Sequence, residues 1–117
     1  MRESYLVNDL IRAAYPFMTL WRINTGSVMT RDGRRFSTGT PKGFPDLFGV
    51  LPAEYSKSGA ALPVFIEAKV KPNKPTAEQL MFIDRMRAQG AVAGVCYSLD
   101  DFWELLIPVL KNPDNKE

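Results

Sequence analysis

The chain has 117 residues, 45% apolar and 24% charged, which suits one globular domain with its own core and is too little for two. It has no histidine and one cysteine, Cys96, which excludes Ser-His-Asp and Cys-His catalysis, imidazole and cysteine-based zinc sites, and an intramolecular disulfide; a divalent metal must sit on oxygen ligands. The net charge is +2, but residues 22–74 hold nine bases against four acids and residues 75–117 hold four bases against seven acids, a split that fits a polyanion partner as well as it fits a solvated surface.

Residues 3 to about 15 space Leu6, Val7, Leu10, Ile11 and Ala14 as one face of an amphipathic helix, which Pro16 ends. Asn8, Asp9 and Arg12 interrupt this stretch, so it lacks the apolar core of a signal peptide, and no apolar run approaches a membrane span. The absence of paired cysteines makes a reducing cytoplasm the expected compartment. Residues 18–24 predict a strand with Trp21 and Ile23 on one side and Leu20, Arg22 and Asn24 on the other. Asp32-Gly33 is the turn of an expected hairpin. The glycines and prolines of 37–45 mark a loop, followed by a short strand from Asp46 to Leu51 and a second loop over 52–62.

The clearest strand is 63–71, with Val64, Ile66, Ala68 and Val70 on one side and Phe65, Glu67, Lys69 and Lys71 on the other. Thr76 reads as the N-cap of a helix to about Gln89, with Gln79 as capping-box partner and Gly90 as the stop. Ala91 to Tyr97 form a buried strand of small residues. Ser98 and Asp101 cap a last helix with Leu99, Phe102, Leu106 and Val109 on its apolar face, bent or ended by Pro108. Residues 1–117 therefore form one domain, with 112–117 a frayed tail. Trp21 and Trp103 are expected to pack in the core, and Cys96 to be a buried structural thiol.

Glu67 and Lys69 emerge on one face of a strand whose reverse face is apolar, and Pro45-Asp46 begins another strand after a glycine-containing loop. If the two strands are neighbours, Asp46 and Glu67 converge as a hard-cation site for magnesium or manganese. A cation there polarises a phosphoryl oxygen, and a neighbouring ammonium meets the developing charge. Glu-x-Lys alone is a weak motif and serves equally as a strand-surface ion pair. Its order and separation from Pro-Asp carry the signal.

These residues resemble the PD-(D/E)XK nuclease superfamily. The likeness is closest to the small stand-alone phage and bacterial members of its VRR-NUC family. The matching segments are Trp21-Arg22-Ile23-Asn24-Thr25-Gly26, Gly43-Phe44-Pro45-Asp46-Leu47 and Phe65-Ile66-Glu67-Ala68-Lys69, continuing through Thr76, Gln79, Phe82, Ile83, Gly90 and Ala91 to Ser98-Leu99-Asp100-Asp101. The resemblance implies an α/β fold with a restriction-endonuclease-like αβββαβ core, a mixed central sheet flanked by helices. It further implies an Mg2+- or Mn2+-dependent DNA endonuclease of the DNA-repair type, a homodimer acting on branched DNA such as Holliday junctions, in the cytoplasm of a bacterial or phage-infected cell. A non-catalytic nucleic-acid-binding module on the same fold is the alternative.

Carried over by position, the resemblance makes Asp46 and Glu67 metal ligands, the backbone carbonyl of Ala68 a third, and Lys69 the catalytic lysine. Gln79 takes a place near the scissile phosphate, its capping-box role, or both in turn. Glu3 is either a further acid at the metal or a helix-dipole charge. Arg22, Asn24, Arg34, Arg35, Lys42, Lys71 and Lys74 are the candidate DNA contacts, with Arg34 and Arg35 equally readable as solvated charges at a hairpin tip. Val95-Cys96-Tyr97 stands where the family has Val-Arg-Arg, which removes an expected phosphate contact without touching the metal site. Trp103 and Ile107 offer either core packing or a dimer surface.

Overall fold

The computed structural model describes residues 2–23, 27–29, 31–37 and 42–112, with only the backbone considered at 27–29 and 35–37. Helix α1 (Glu3–Ala14) buries Leu6, Val7, Leu10 and Ala14, the stripe expected from their spacing. Strand β1 (Leu20–Arg22) follows, then a hairpin of β2 (Ser27–Met29) and β3 (Arg35–Ser37) paired antiparallel across the Asp32-Gly33 turn. Gly33 there has φ +89°, a conformation favouring glycine. Strands β4 (Leu47–Leu51) and β5 (Leu62–Ala68), helix α2 (Ala77–Ala88), strand β6 (Val92–Cys96) and helix α3 (Leu99–Leu106) complete the chain, with short 3-10 turns at Ala53–Tyr55 and Ile107–Val109.

The main sheet is mixed and four-stranded, in the order β1-β4-β5-β6. β4 runs antiparallel to β1 and β5, and β6 runs parallel to β5, as the intervening helix requires. The β2-β3 ribbon is a separate two-stranded sheet. With it set aside, the element order is αβββαβ followed by α3.

One face of the sheet packs against α1 and α3 in a cluster that includes Leu47, Val64, Ile66, Ala68, Cys96, Phe102 and Leu106. The other face meets α2 through Phe65, Ile83 and Ala93, with Phe44, Phe48, Phe82, Met86 and Val95 around them. Both faces of β5 are thus buried, and Glu67 is only 2% exposed. α2 covers the charged side of β5, which alternation alone leaves facing a surface or cleft.

Two expectations need correction. Trp21 is 61% exposed and does not enter the core, because α2 lies over β5 and β6 and stops short of β1. Leu99 is 39% exposed at the first turn of α3, where the helix face turns away from the sheet. Trp103 does pack inward, its ring 4.9 Å from that of Phe102 and 5.9 Å from that of Phe17. Cys96 is fully buried. Burial, with Asp101 nearby, pushes its thiol up to about 12, so it holds no thiolate nucleophile at neutral pH. Among the described residues, no helix is long and apolar enough to cross a membrane.

Candidate metal centre

Three elements bring three acids together. Asp46 stands at the entrance of β4, Glu67 near the end of β5 and Glu3 at the first turn of α1. One carboxylate oxygen from each lies within 4.8 Å of the other two. The register explains the first pair. Leu47 lies opposite Ile66, so the preceding Asp46 falls opposite Glu67 on the α2 face. On its other side the Asp46 carbonyl accepts from the Ile23 N–H at 2.7 Å. The Asp46 side chain is fixed by the Ala68 N–H, which donates to Oδ2 at 3.1 Å. In an extended residue N–H and C=O point to the same edge, so the Ala68 carbonyl also faces Asp46.

The two oxygens of Glu67 have different surroundings. Oε2 accepts from Gln79 Nε2 at 3.0 Å and lies 3.5 Å from Lys69 Nζ. Oε1 is buried with no hydrogen-bond partner among the described residues. A bare carboxylate oxygen in the interior costs several kcal/mol unless something cationic or protic meets it. Its acidic neighbours are acceptors themselves when ionised. Burial raises the Glu67 carboxyl to about 7, Asp46 adds to the rise, and Lys69 opposes it. Glu3 is raised by burial first and then by Asp46, with Lys69 and Arg22 opposing. The site is therefore short of positive charge. Carboxylates at this spacing, with a buried oxygen lacking any donor, fit a hard divalent cation.

Gln79 takes the capping-box role and also reaches the carboxylate cluster. Its Oε1 accepts from the Thr76 N–H at 2.8 Å while Thr76 Oγ1 accepts from the Gln79 N–H at 3.1 Å, closing a capping box. That leaves the amide nitrogen free to donate to Glu67. The cap of α2 thereby fixes the Glu67 rotamer. The loop bearing Asp46 is fastened to the same helix turn. Gly43 has φ +88°, and a Cβ there would meet the Glu78 carbonyl oxygen at 2.6 Å. Beside it, Phe44 packs on Phe82 and Phe65 at 4.9 and 5.8 Å between ring centres. Gly43→Ala is expected to destabilise the fold by about 1–3 kcal/mol through backbone strain and the clash, read as a lower urea midpoint at unchanged slope.

The other sequence-predicted residues lie further out. Arg22 is exposed at the end of β1, and its charge reaches Glu3. Lys71 and Lys74 are exposed on the segment from β5 to α2. Lys42 pairs with Glu78 at 3.2 Å and Arg34 with Asp32 at 3.1 Å, both exposed pairs of small energetic weight. Asn24 and the Arg35 side chain lie outside the described residues. Where the resemblance expects an arginine, the Tyr97 hydroxyl donates to the Asn73 carbonyl at 3.0 Å, tying β6 to the segment that carries Lys71 and Lys74.

No protein-family model and no curated protein matches the chain.

Proposed function

We propose that this chain is a small metal-dependent DNA endonuclease with a restriction-endonuclease-like core of the VRR-NUC type. The observation that carries the reading is the three-carboxylate cluster with a donorless buried oxygen on Glu67 and the Lys69 ammonium 3.5 Å from that residue's other oxygen. The αβββαβ order supports the same reading.

Asp46, Glu67, the Ala68 carbonyl and Glu3 would hold Mg2+ or Mn2+. When bound, such a cation supplies Lewis-acid polarisation of a phosphoryl oxygen and a lowered pKa for water in its shell. Lys69 orients the attacking water and offers its ammonium to the charge that grows on the phosphate oxygens. Gln79 keeps Glu67 turned toward Asp46. Arg22, Lys71 and Lys74 lie around the site as phosphate contacts, which position the backbone without reading sequence. Among the described residues one copy holds one such site, so cutting both strands of a symmetric branched DNA calls for a twofold homodimer.

The test is a gel assay of labelled four-way junction, flap, linear duplex and single strand with magnesium, manganese or chelator. Wild-type protein is expected to cut at least one branched substrate only with a cation, and Asp46→Ala to bind DNA without cutting it. Salt-dependent binding without cleavage under any cation would leave only the non-catalytic module.

A further inference from the structure

We propose that the bare half of the sheet beside the carboxylates is a stacking subsite for an unpaired nucleobase, with Trp21 as its platform. The inference rests on the nuclease reading and names the substrate class, a strand with at least one unpaired nucleotide next to the bond to be cut.

Trp21 lies opposite Phe48 and Phe48 opposite Phe65, so the three share the α2 face of the sheet. Two residues further along the same face, these strands carry Ile23, Asp46 and Glu67. At about 3.4 Å per residue, the Trp21 row is about 7 Å from the carboxylate row. α2 covers Phe65 but leaves the β1 side open, with Trp21 and Val50 61% and 47% exposed. The outer face of an antiparallel pair is ordinarily polar. Here it carries an indole, a phenyl ring and a valine. They floor a groove of about 600 Å3 that Tyr15, Phe17, Thr19 and Pro52 also line, with no charged side chain in the lining among the described residues. Adjacent exposed apolar side chains at a groove are a common feature of binding surfaces.

The neighbouring row selects the occupant. The groove opens about 7 Å from Asp46 and Glu67, where the nuclease reading puts the phosphate to be cut. A nucleic-acid strand suits both: a phosphate for the proposed cation site and an uncharged, planar base for the aromatic floor. A paired base keeps its face stacked within the helix, so only an unpaired one fits.

The test uses the whole chain in chelator, so that binding is separated from cleavage. With Trp103→Phe, Trp21 is the sole indole, and its fluorescence is expected to be quenched by single-stranded or flapped DNA but not by blunt duplex. Trp21→Ala should weaken single-strand binding about tenfold or more by labelled-oligonucleotide anisotropy, with blunt-duplex binding unchanged and Trp21→Phe retaining most of it. Melting curves confirm that the variants fold. Equal quenching by blunt duplex, equal loss on both DNAs, or quenching that grows with protein concentration alone as a dimer forms would overturn the subsite. If wild-type protein cuts DNA with magnesium while Trp21→Ala binds normally, the nuclease reading survives and the subsite falls. If unpaired DNA quenches Trp21 but no cation supports cutting, the nuclease reading falls and the subsite stands as a binding platform.

Discussion

Replacing Lys69 with alanine is expected to lower magnesium-dependent DNA cleavage by about a hundredfold or more, with DNA binding retained and the melting temperature nearly unchanged. Lys69 is the cation that pairs with Glu67 among the described residues, at 3.5 Å, and its side chain is 17% exposed. Its loss acts in two ways. The Lys69 charge holds down the Glu67 and Glu3 carboxyls, so without it both need a higher pH to ionise and cation affinity falls near neutrality. The second effect is direct, the loss of an ammonium beside the reacting phosphate. The two separate experimentally. Above neutral pH with excess manganese, the first loss is recovered and the second is not. A deficit that persists there assigns Lys69 to the chemistry, whereas full recovery reduces it to holding Glu67 ionised. Lys69→Arg keeps the charge but exchanges a compact ammonium for a planar fork, and is expected to recover cation affinity more than rate. Undiminished cleavage by purified Lys69→Ala would remove the proposed mechanism.

Local periodicity read the elements well wherever one face alone meets the core. The stripe of α1, the capping box at Thr76 and the Gly90 stop (φ +99°) all depend on neighbours a few residues apart. The convergence of Asp46 and Glu67 was legible because a register of antiparallel neighbours is a short step from two strand signatures. Three features depend on contacts distant in sequence and escaped that reading. The burial of Glu67 is set by α2 packing over β5. The choice between a helix-dipole and a metal-site role for Glu3 turns on where α1 begins relative to the end of β5, which brings its carboxylate to Asp46. The exposure of Trp21 follows from how far α2 reaches across the sheet. Gln79 differs again. Its capping-box role was legible from Thr76 three residues before it, but its bond to Glu67 was not: the amide oxygen serves the cap, and the nitrogen is left to meet a carboxylate that only the packing of α2 over β5 brings within reach.

Glu67→Gln tests the cation site through stability as well as activity, and the two should move in opposite directions. In chelator the native protein holds the Glu67 carboxyl at about 7 against an ordinary value of 4.5. A raised native pKa means that the folded state binds more protons than the unfolded state between those values, so stability falls as pH rises through that window. The penalty is complete above the native value and on the order of 3 kcal/mol. Glutamine carries no charge to desolvate. Its oxygen can keep the bonds from Gln79 and Lys69, and its amide nitrogen brings donors to the position of the orphaned Oε1, beside Asp46. In chelator, then, Glu67→Gln should be more stable than wild type above neutral pH and nearly equal to it below about pH 4.5. Magnesium or manganese should raise the wild-type melting temperature, since a ligand that binds only the folded state stabilises it by mass action. The same addition should do little for the variant, which is also expected to cut no DNA. Equal cation stabilisation of both proteins, or a variant less stable than wild type at every pH, would mean that Glu67 does not hold the ion.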